Sequence, residues 1–92
     1  HRPDLIIKNP DEDLVGLICV EVELSLKSKK RYDEIFRVYI DNIKKKKINQ
    51  VIYIFYDEKT KAKFENNLLN PYIKNNMVDD AHSSKIDVWL RD

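Results

Sequence analysis

Three acidic residues in two neighbouring extended segments, Asp4, Glu21 and Glu23, have the residue types and spacing best suited to chemistry. Alternate residues of a strand point to the same side of a sheet, so Glu21 and Glu23 should share one face. Two carboxylates roughly 7 Å apart repel by about 2 kcal/mol at an effective dielectric constant near 20. A cation, a basic partner or water must offset this repulsion.

A magnesium or manganese ion would meet that need, because Mg²⁺ binds through a few carboxylates and keeps bound water. Such a water can attack a phosphodiester, and a nearby lysine can stabilise the developing charge. Four cations, the basic cluster, follow the acids at a predicted helix start: Lys27, Lys29, Lys30 and Arg31. The residues alone therefore make a metal site at the three acids plausible. The basic cluster is a candidate for contacts with DNA, because it lies beside the acids.

The elements that position these residues follow from the periodicity of the apolar side chains. The predicted order is β-β-α-β-α-β, with strands at 3–8, 14–24, 50–56 and 85–90 and helices at 29–45 and 57–69. The first two strands should form an antiparallel hairpin, whereas a strand, a helix and a strand in succession favour a parallel unit. We expect a single α/β domain with a mixed sheet, in two open layers or three.

The helix limits and the buried faces can also be predicted. Ser28 has the character of an N-cap, whereas Asn70 and Pro71 should end the second helix. Asp33 and Arg37 are spaced for an ion pair on the first helix. The strand at 50–56 should be covered on both faces, and the strand at 85–90 should be half-buried at an edge. The inward residues of the helices should be Tyr32, Ile35, Phe36, Tyr39, Ile43, Ala62, Phe64, Leu68 and Leu69.

The acids converge only if the hairpin has the right register. A loop over residues 9–13 would place Asp4 opposite Ile18, whereas a bulge at Gly16 or a longer loop would place it opposite Val20 or Glu21. We expect Asp4 to share the face of Glu21 and Glu23. The residues expected on the opposite, core-facing side are Leu5, Ile7, Val20, Val22 and Leu24.

Composition restricts the class of protein. The chain has 92 residues, of which 36% are charged and 42% hydrophobic, as in a folded globular domain. Cys19 is the only cysteine, so no internal disulfide can form, and a reducing, cytoplasmic location is expected. No apolar run reaches the length of a membrane span, so no membrane partner is expected. The net charge of +1 places any argument for DNA binding on local patches.

Pro3-Asp4, then Glu21-Val22-Glu23 on the next strand, then a helix, resembles the PD-(D/E)XK nuclease superfamily. The string His-Arg-Pro-Asp … Val-Glu-Val-Glu-Leu-Ser-x-Lys-Ser-x-x-Arg-Tyr resembles more narrowly the replication-relaxation proteins of plasmids and mobile elements. The resemblance covers about residues 1–56. It implies a restriction-endonuclease-like fold and metal-dependent hydrolysis of DNA. Asp4, Glu21 and Glu23 would then bind Mg²⁺ or Mn²⁺ and act in catalysis, with Lys27, or alternatively Lys29, at the scissile phosphate. It further implies that residues 1–92 form the C-terminal domain of a longer plasmid replication or mobilisation protein, after an N-terminal winged-helix region.

The chain departs from the superfamily pattern at Glu23, where lysine is most common. Lys27 or Lys29 would then supply the missing cation. Alternatively, the domain is an inactive module for DNA binding or homodimerisation in a replication initiator or regulator. A third interpretation is a structural domain that joins an assembly through the edge strand at 85–90. The simplest view of the acids themselves is that Glu21 and Glu23 pair with the following lysines and that Asp4 only caps its strand.

Overall fold

A computed structural model describes residues 1–8 and 16–91 of the chain. It contains a four-stranded sheet in the order β1-β2-β3-β4: β1 Leu5–Lys8, β2 Leu17–Glu23, β3 Ile48–Phe55 and β4 Ile86–Leu90. The first pair is antiparallel and the other two pairs are parallel, which confirms the predicted mixed sheet and chain order. The predicted loop at 9–13 and the first two residues of the predicted second strand lie outside the described ranges.

Helix α1, Lys29–Lys44, agrees closely with its prediction. The Ser28 hydroxyl accepts a hydrogen bond from the Arg31 amide at 3.2 Å, as expected of an N-cap. The predicted ion pair between Asp33 and Arg37 is wrong, because Asp33 pairs with Lys29 at 2.7 Å while Arg37 lines the groove beside the following helices. The predicted inward residues of α1 are all buried, together with Ile40.

The second crossover is longer than predicted. Helix α2, Glu58–Phe64, runs through a π-helical turn, Glu65–Leu69, into α3, Asn70–Asn75, and a short helix α4, Asp80–Ser83, follows. The prediction that Pro71 ends the helix is wrong, because it lies in the first turn of α3, where a missing N–H costs little. Phe64, Leu68 and Leu69 are buried as predicted, but Ala62 is exposed. In the part of the chain that the structure describes, no helix is long and apolar enough to cross a bilayer.

The helices that build the core pack on one face of the sheet, so the domain has two layers. Right-handed crossovers between consecutive neighbouring strands place their helices on the same side. Phe64 is central to the core, with its ring centroid 4.7 Å from that of Tyr53 and 4.9 Å from that of Phe55. Val51, Ile52 and Tyr53 are nevertheless all buried, so the expectation that β3 is covered on both faces holds for the centre of the strand.

The predicted core face of the hairpin is also wrong. Leu5 and Ile7 do lie on the same face as Val20, as the register requires, but this is the face without helices. Of the five residues predicted there, Val20 alone is buried. Val22 and Leu24 are exposed, because α1 covers the opposite face of β2, which carries the acids.

Candidate functional site

The hairpin register brings Asp4 and Glu21 together. The ladder runs from Lys8 opposite Leu17 to Leu5 opposite Val20, and one further step places Asp4 opposite Glu21. The Asp4 amide donates to Oε1 of Glu21 at 3.1 Å, and the Val22 amide donates to Oδ2 of Asp4 at 2.8 Å. Because Lys8 pairs with Leu17, residues 9–16 separate the two strands. This connection is longer than the predicted loop at 9–13, and it gives the observed register. The predicted convergence of these two acids is therefore present.

Glu21 and Glu23 are interior residues, with exposed fractions of only 2% and 3%. They share the α1-covered face of β2 with Cys19, which is buried and faces the Glu21 side as predicted. Burying a carboxylate is costly unless it is paired or hydrogen-bonded. The partners of each acid therefore decide what the site can do.

Glu23 is fully engaged by the segment that leads into α1. Lys27 Nζ lies 2.9 and 3.0 Å from its two carboxylate oxygens, and the Tyr32 hydroxyl donates to Oε2 at 2.7 Å. Burial and the bond to Glu23 raise the pKa of Tyr32, which keeps this hydroxyl a donor. The interpretation that an acid pairs with a following lysine therefore holds for Glu23.

Glu21 has a different environment, with no lysine partner among residues 1–8 and 16–91. Burial raises its pKa above the ordinary 4.5; the Asp4 amide and the Tyr39 hydroxyl oppose this, whereas the charges of Asp4 and Glu23 add to it. Its Oε2 atom contacts Nε2 of His1, whose ring packs edge-on against Tyr39 with centroids 5.6 Å apart. His1 is therefore part of the site.

Two further hydroxyls, those of Tyr39 and Tyr53, lie beside the acids. Both are buried, and the Tyr53 hydroxyl has no hydrogen-bond partner within the described structure. The Tyr39 hydroxyl is outside strict hydrogen-bond geometry but lies close enough to the Glu21 carboxylate to lower its pKa. Burial and the charge of Glu21 raise the pKa of both phenols. An unpaired buried hydroxyl costs about 1–3 kcal/mol, so the Tyr53 hydroxyl marks a place suited to a polar group.

Sequence reasoning assigned these tyrosines to ordinary core packing and missed their convergence on the acids. The carboxylate–tyrosine cluster consists of Glu21, Glu23, Tyr32, Tyr39 and Tyr53. A usable signal was present in the residue types. Tyrosine, not phenylalanine, occupies three positions of the predicted core, and a phenol hydroxyl buried near an acid is a ready hydrogen-bond donor.

The four residues of the basic cluster differ in whether they form ion pairs. Lys27 is bound to Glu23, and Lys29 is bound to Asp33 on the exposed surface of α1. Lys30 and Arg31 are exposed in the first turn of the helix and make no ion pair within the described ranges. These two residues are therefore the members of the cluster most available to a phosphate backbone.

The donor set can be compared with the needs of a divalent cation. No group of three or more His, Cys, Asp or Glu side chains in the described ranges is arranged to hold a metal. Asp4 and Glu21 form an adjacent pair, and Asp4 is exposed, so solvent reaches one side of it. Mg²⁺ is commonly bound by one or two carboxylates and several waters. The pair supplies two carboxylates, but both oxygens of Glu21 already have a partner, the Asp4 amide and His1, so a cation here would replace the contact with His1. Glu23 does not fit, because Lys27 and Tyr32 already occupy its oxygens.

Comparison with known proteins finds no matching family model, no matching curated protein and no matching solved structure. The two-layer α/β fold therefore rests on the structure alone. The case for a function rests on the geometry around Asp4, Glu21 and Lys27.

Proposed function

We propose that this chain is a metal-dependent DNA-processing domain that hydrolyses phosphodiester bonds, with an architecture like that of PD-(D/E)XK nucleases. The observation that carries the proposal is the meeting of Asp4 and Glu21 on adjacent strands. Lys27 lies in the same region through its bond to Glu23. We further propose that the domain acts in plasmid replication or mobilisation, as the sequence resemblance implies.

Each residue has a separate role in this proposal. Asp4 and Glu21 would hold Mg²⁺ or Mn²⁺, which when bound would supply an activated water and stabilise charge on the phosphate. Glu23 is a positioning residue rather than a metal ligand, since it holds the Lys27 ammonium on both carboxylate oxygens. Lys27 would contact the scissile phosphate, and its neighbours on α1 would contact the backbone.

The electrostatics of Glu21 support a cation at this position. Its pKa is raised because a buried carboxylate beside Asp4 and Glu23 is poorly compensated. A divalent cation between Asp4 and Glu21 would reverse the sign of their interaction and favour both ionised forms. The Tyr39 hydroxyl, which lies beside Glu21, could then donate to this carboxylate or to a bound water.

Nicking of supercoiled plasmid DNA in the presence of Mn²⁺ or Mg²⁺ tests the proposal. Asp4→Asn and Glu21→Gln should each lower the rate by more than about 100-fold, since even outer-shell partners of a metal are worth about 10–100-fold. Glu58→Gln, an exposed acid on α2, is the matched control and should cleave normally. A folded protein that gives no heat of Mn²⁺ binding and no nicking would contradict the proposal.

The second candidate is a catalytically silent DNA-binding module. It is favoured by one observation: protein groups already contact both acids, with Lys27 and Tyr32 on Glu23 and His1 on Glu21. In that case Glu21→Gln would leave DNA affinity unchanged. Charge reversal at Lys30 or Arg31 would weaken binding and reduce its salt dependence, as fluorescence anisotropy with a labelled duplex would measure.

A further inference from the structure

A pocket separate from the acidic site lies at the opposite end of the parallel strands. It has a volume of about 310 Å³ and is enclosed by the C-terminal end of α1, the start of β3 and helix α4. Its floor includes the apolar side chains of Ile43 and Ile48, and its rim carries Lys44, Lys46, Lys85 and His82. Among the residues that the structure describes, no acidic side chain lines it. The pocket therefore combines an apolar base with concentrated positive charge.

These lysines are not needed to complete the helix. The Lys47 amide donates to the Asn42 carbonyl and the Lys46 amide to the Ile43 carbonyl, both at 3.0 Å, so the backbone itself closes α1 in a Schellman arrangement. Lys45 pairs with Asp41 and does not line the pocket. The three lysines on the rim make no ion pair with any residue that the structure describes.

The position of Lys46 is unusual for its residue type. Its φ of 61° is left-handed, at the position after the helix end where glycine is normally favoured. The turn is also tightly backed by Gly16, where a Cβ would lie 3.0 Å from the Asn49 amide nitrogen and 3.2 Å from the Lys46 carbonyl oxygen. The backbone therefore fixes the position of the Lys46 side chain on the rim. Glycine would adopt this left-handed conformation at lower cost than lysine.

His82 is also oriented toward this pocket. Its Nδ1 lies 2.5 Å from Oδ1 of Asp79. Asp79 is held in turn as the N-cap of α4, where it accepts from the His82 amide. Since Nδ1 faces Asp79, Nε2 is the ring nitrogen left for a ligand.

We propose that this pocket binds a small phosphomonoester, with its phosphate on the lysines and His82 and its organic group over Ile43 and Ile48. Several flexible ammonium groups on one rim suit a compact dianion. The volume lies at the lower end of the range for small-ligand sites, at about 300 Å³. A concave pocket with an apolar floor fits a small molecule better than a duplex, which is contacted over an extended surface.

Adenosine monophosphate is a suitable probe, followed by amide chemical shifts in ¹⁵N-labelled protein without divalent metal. Saturable shifts should appear at residues 46–49 and 81–85. Inorganic phosphate should shift the same amides more weakly, and adenosine should leave them unchanged. The affinity for the probe should fall as salt is raised.

Lys46→Gly separates binding from folding, because glycine accepts the left-handed conformation while the charge is lost. Its affinity for the probe should be about three- to tenfold weaker with no decrease in melting temperature. Lys85→Gln should weaken binding similarly, and Lys63→Gln, an exposed lysine on α2, should bind normally. Absence of saturable shifts, equal weakening in Lys63→Gln, or binding of a short DNA duplex here without binding of the probe would overturn the proposal.

Discussion

Glu21 and Glu23 are two positions apart on one strand, yet they differ in their electrostatic environment. Glu23 has a cation and a phenol as partners, whereas Glu21 has another acid beside it and a pKa raised by burial. The same residue type therefore performs two functions at this site. Glu23 organises Lys27, and Glu21 retains the unfavourable charge that a ligand could relieve.

The raised pKa of Glu21 predicts how stability depends on pH. The folded state holds this proton more tightly than the unfolded chain, so the stabilisation is complete below the ordinary value of 4.5 and is lost as pH rises through the folded pKa. In metal-free buffer, Glu21→Gln should therefore melt several degrees above the wild type at neutral pH, and the difference should vanish near pH 4. Thermal denaturation across this range, with Glu58→Gln as the control, measures the effect. A wild type more stable than Glu21→Gln at neutral pH would contradict the assignment.

At the scale of elements, the junction between β2 and α1 is held by a partly buried ion pair. Lys27 Nζ spans both oxygens of Glu23, and the Tyr32 hydroxyl from the first turn of α1 completes the carboxylate's bonding. The Lys27 side chain is 37% exposed, whereas that of Glu23 is 2% exposed. Loss of the lysine would leave the acid charged and without solvent.

Lys27→Met should therefore destabilise the domain by about 2 kcal/mol, less than the cost for a fully buried pair because water reaches the ammonium. The double variant Glu23→Gln/Lys27→Met should recover most of this loss, since no charge is then stranded. Lys29→Met, which breaks the exposed pair with Asp33, should cost less than about 0.5 kcal/mol. Urea unfolding of the four proteins measures these differences, and equal losses in Lys27→Met and Lys29→Met would refute the argument.

Several elements could be predicted from local sequence, and the failures have a common cause. The cap at Ser28 and the inward face of α1 depend on residues close in sequence, so both were predicted correctly. The buried face of β2 could not be predicted in this way, because alternation defines two faces without showing which one the helices cover. Val20 and Val22 suggested one face, but Tyr32 of α1 and Lys27 just before it satisfy Glu23 on the other. The meeting of Asp4 and Glu21 was predictable only as one of several registers.

At the scale of the whole molecule, the sequential strand order places the core helices on one face of the sheet. Val51 lies under the helices with no exposed surface, whereas Val22 is 37% exposed on the opposite face. The other large apolar side chains exposed on the opposite face are Leu5, Ile7 and Trp89. The two faces of the sheet should therefore respond differently to the same chemical change.

Val51→Thr and Val22→Thr form a matched pair for this comparison. Val51→Thr buries a hydroxyl in the core and should cost about 2 kcal/mol. Val22→Thr keeps its hydroxyl in contact with water and should change stability by less than about 0.5 kcal/mol. The free energies of unfolding in urea give both values. Similar costs at the two positions would mean that the second face is covered in solution.

The π-helical turn at Glu65–Leu69 also has a consequence for the helices around it. A wide turn accommodates one extra residue, and each residue of a helix advances the azimuth by about 100°. Removing one residue from this segment would therefore rotate α3 by more than a quarter turn relative to α2. Tyr72, whose ring centroid is 5.5 Å from that of Phe36, would then be carried away from α1. The extra residue in the π-helical turn therefore keeps the inward side chains of both α2 and α3 directed toward α1.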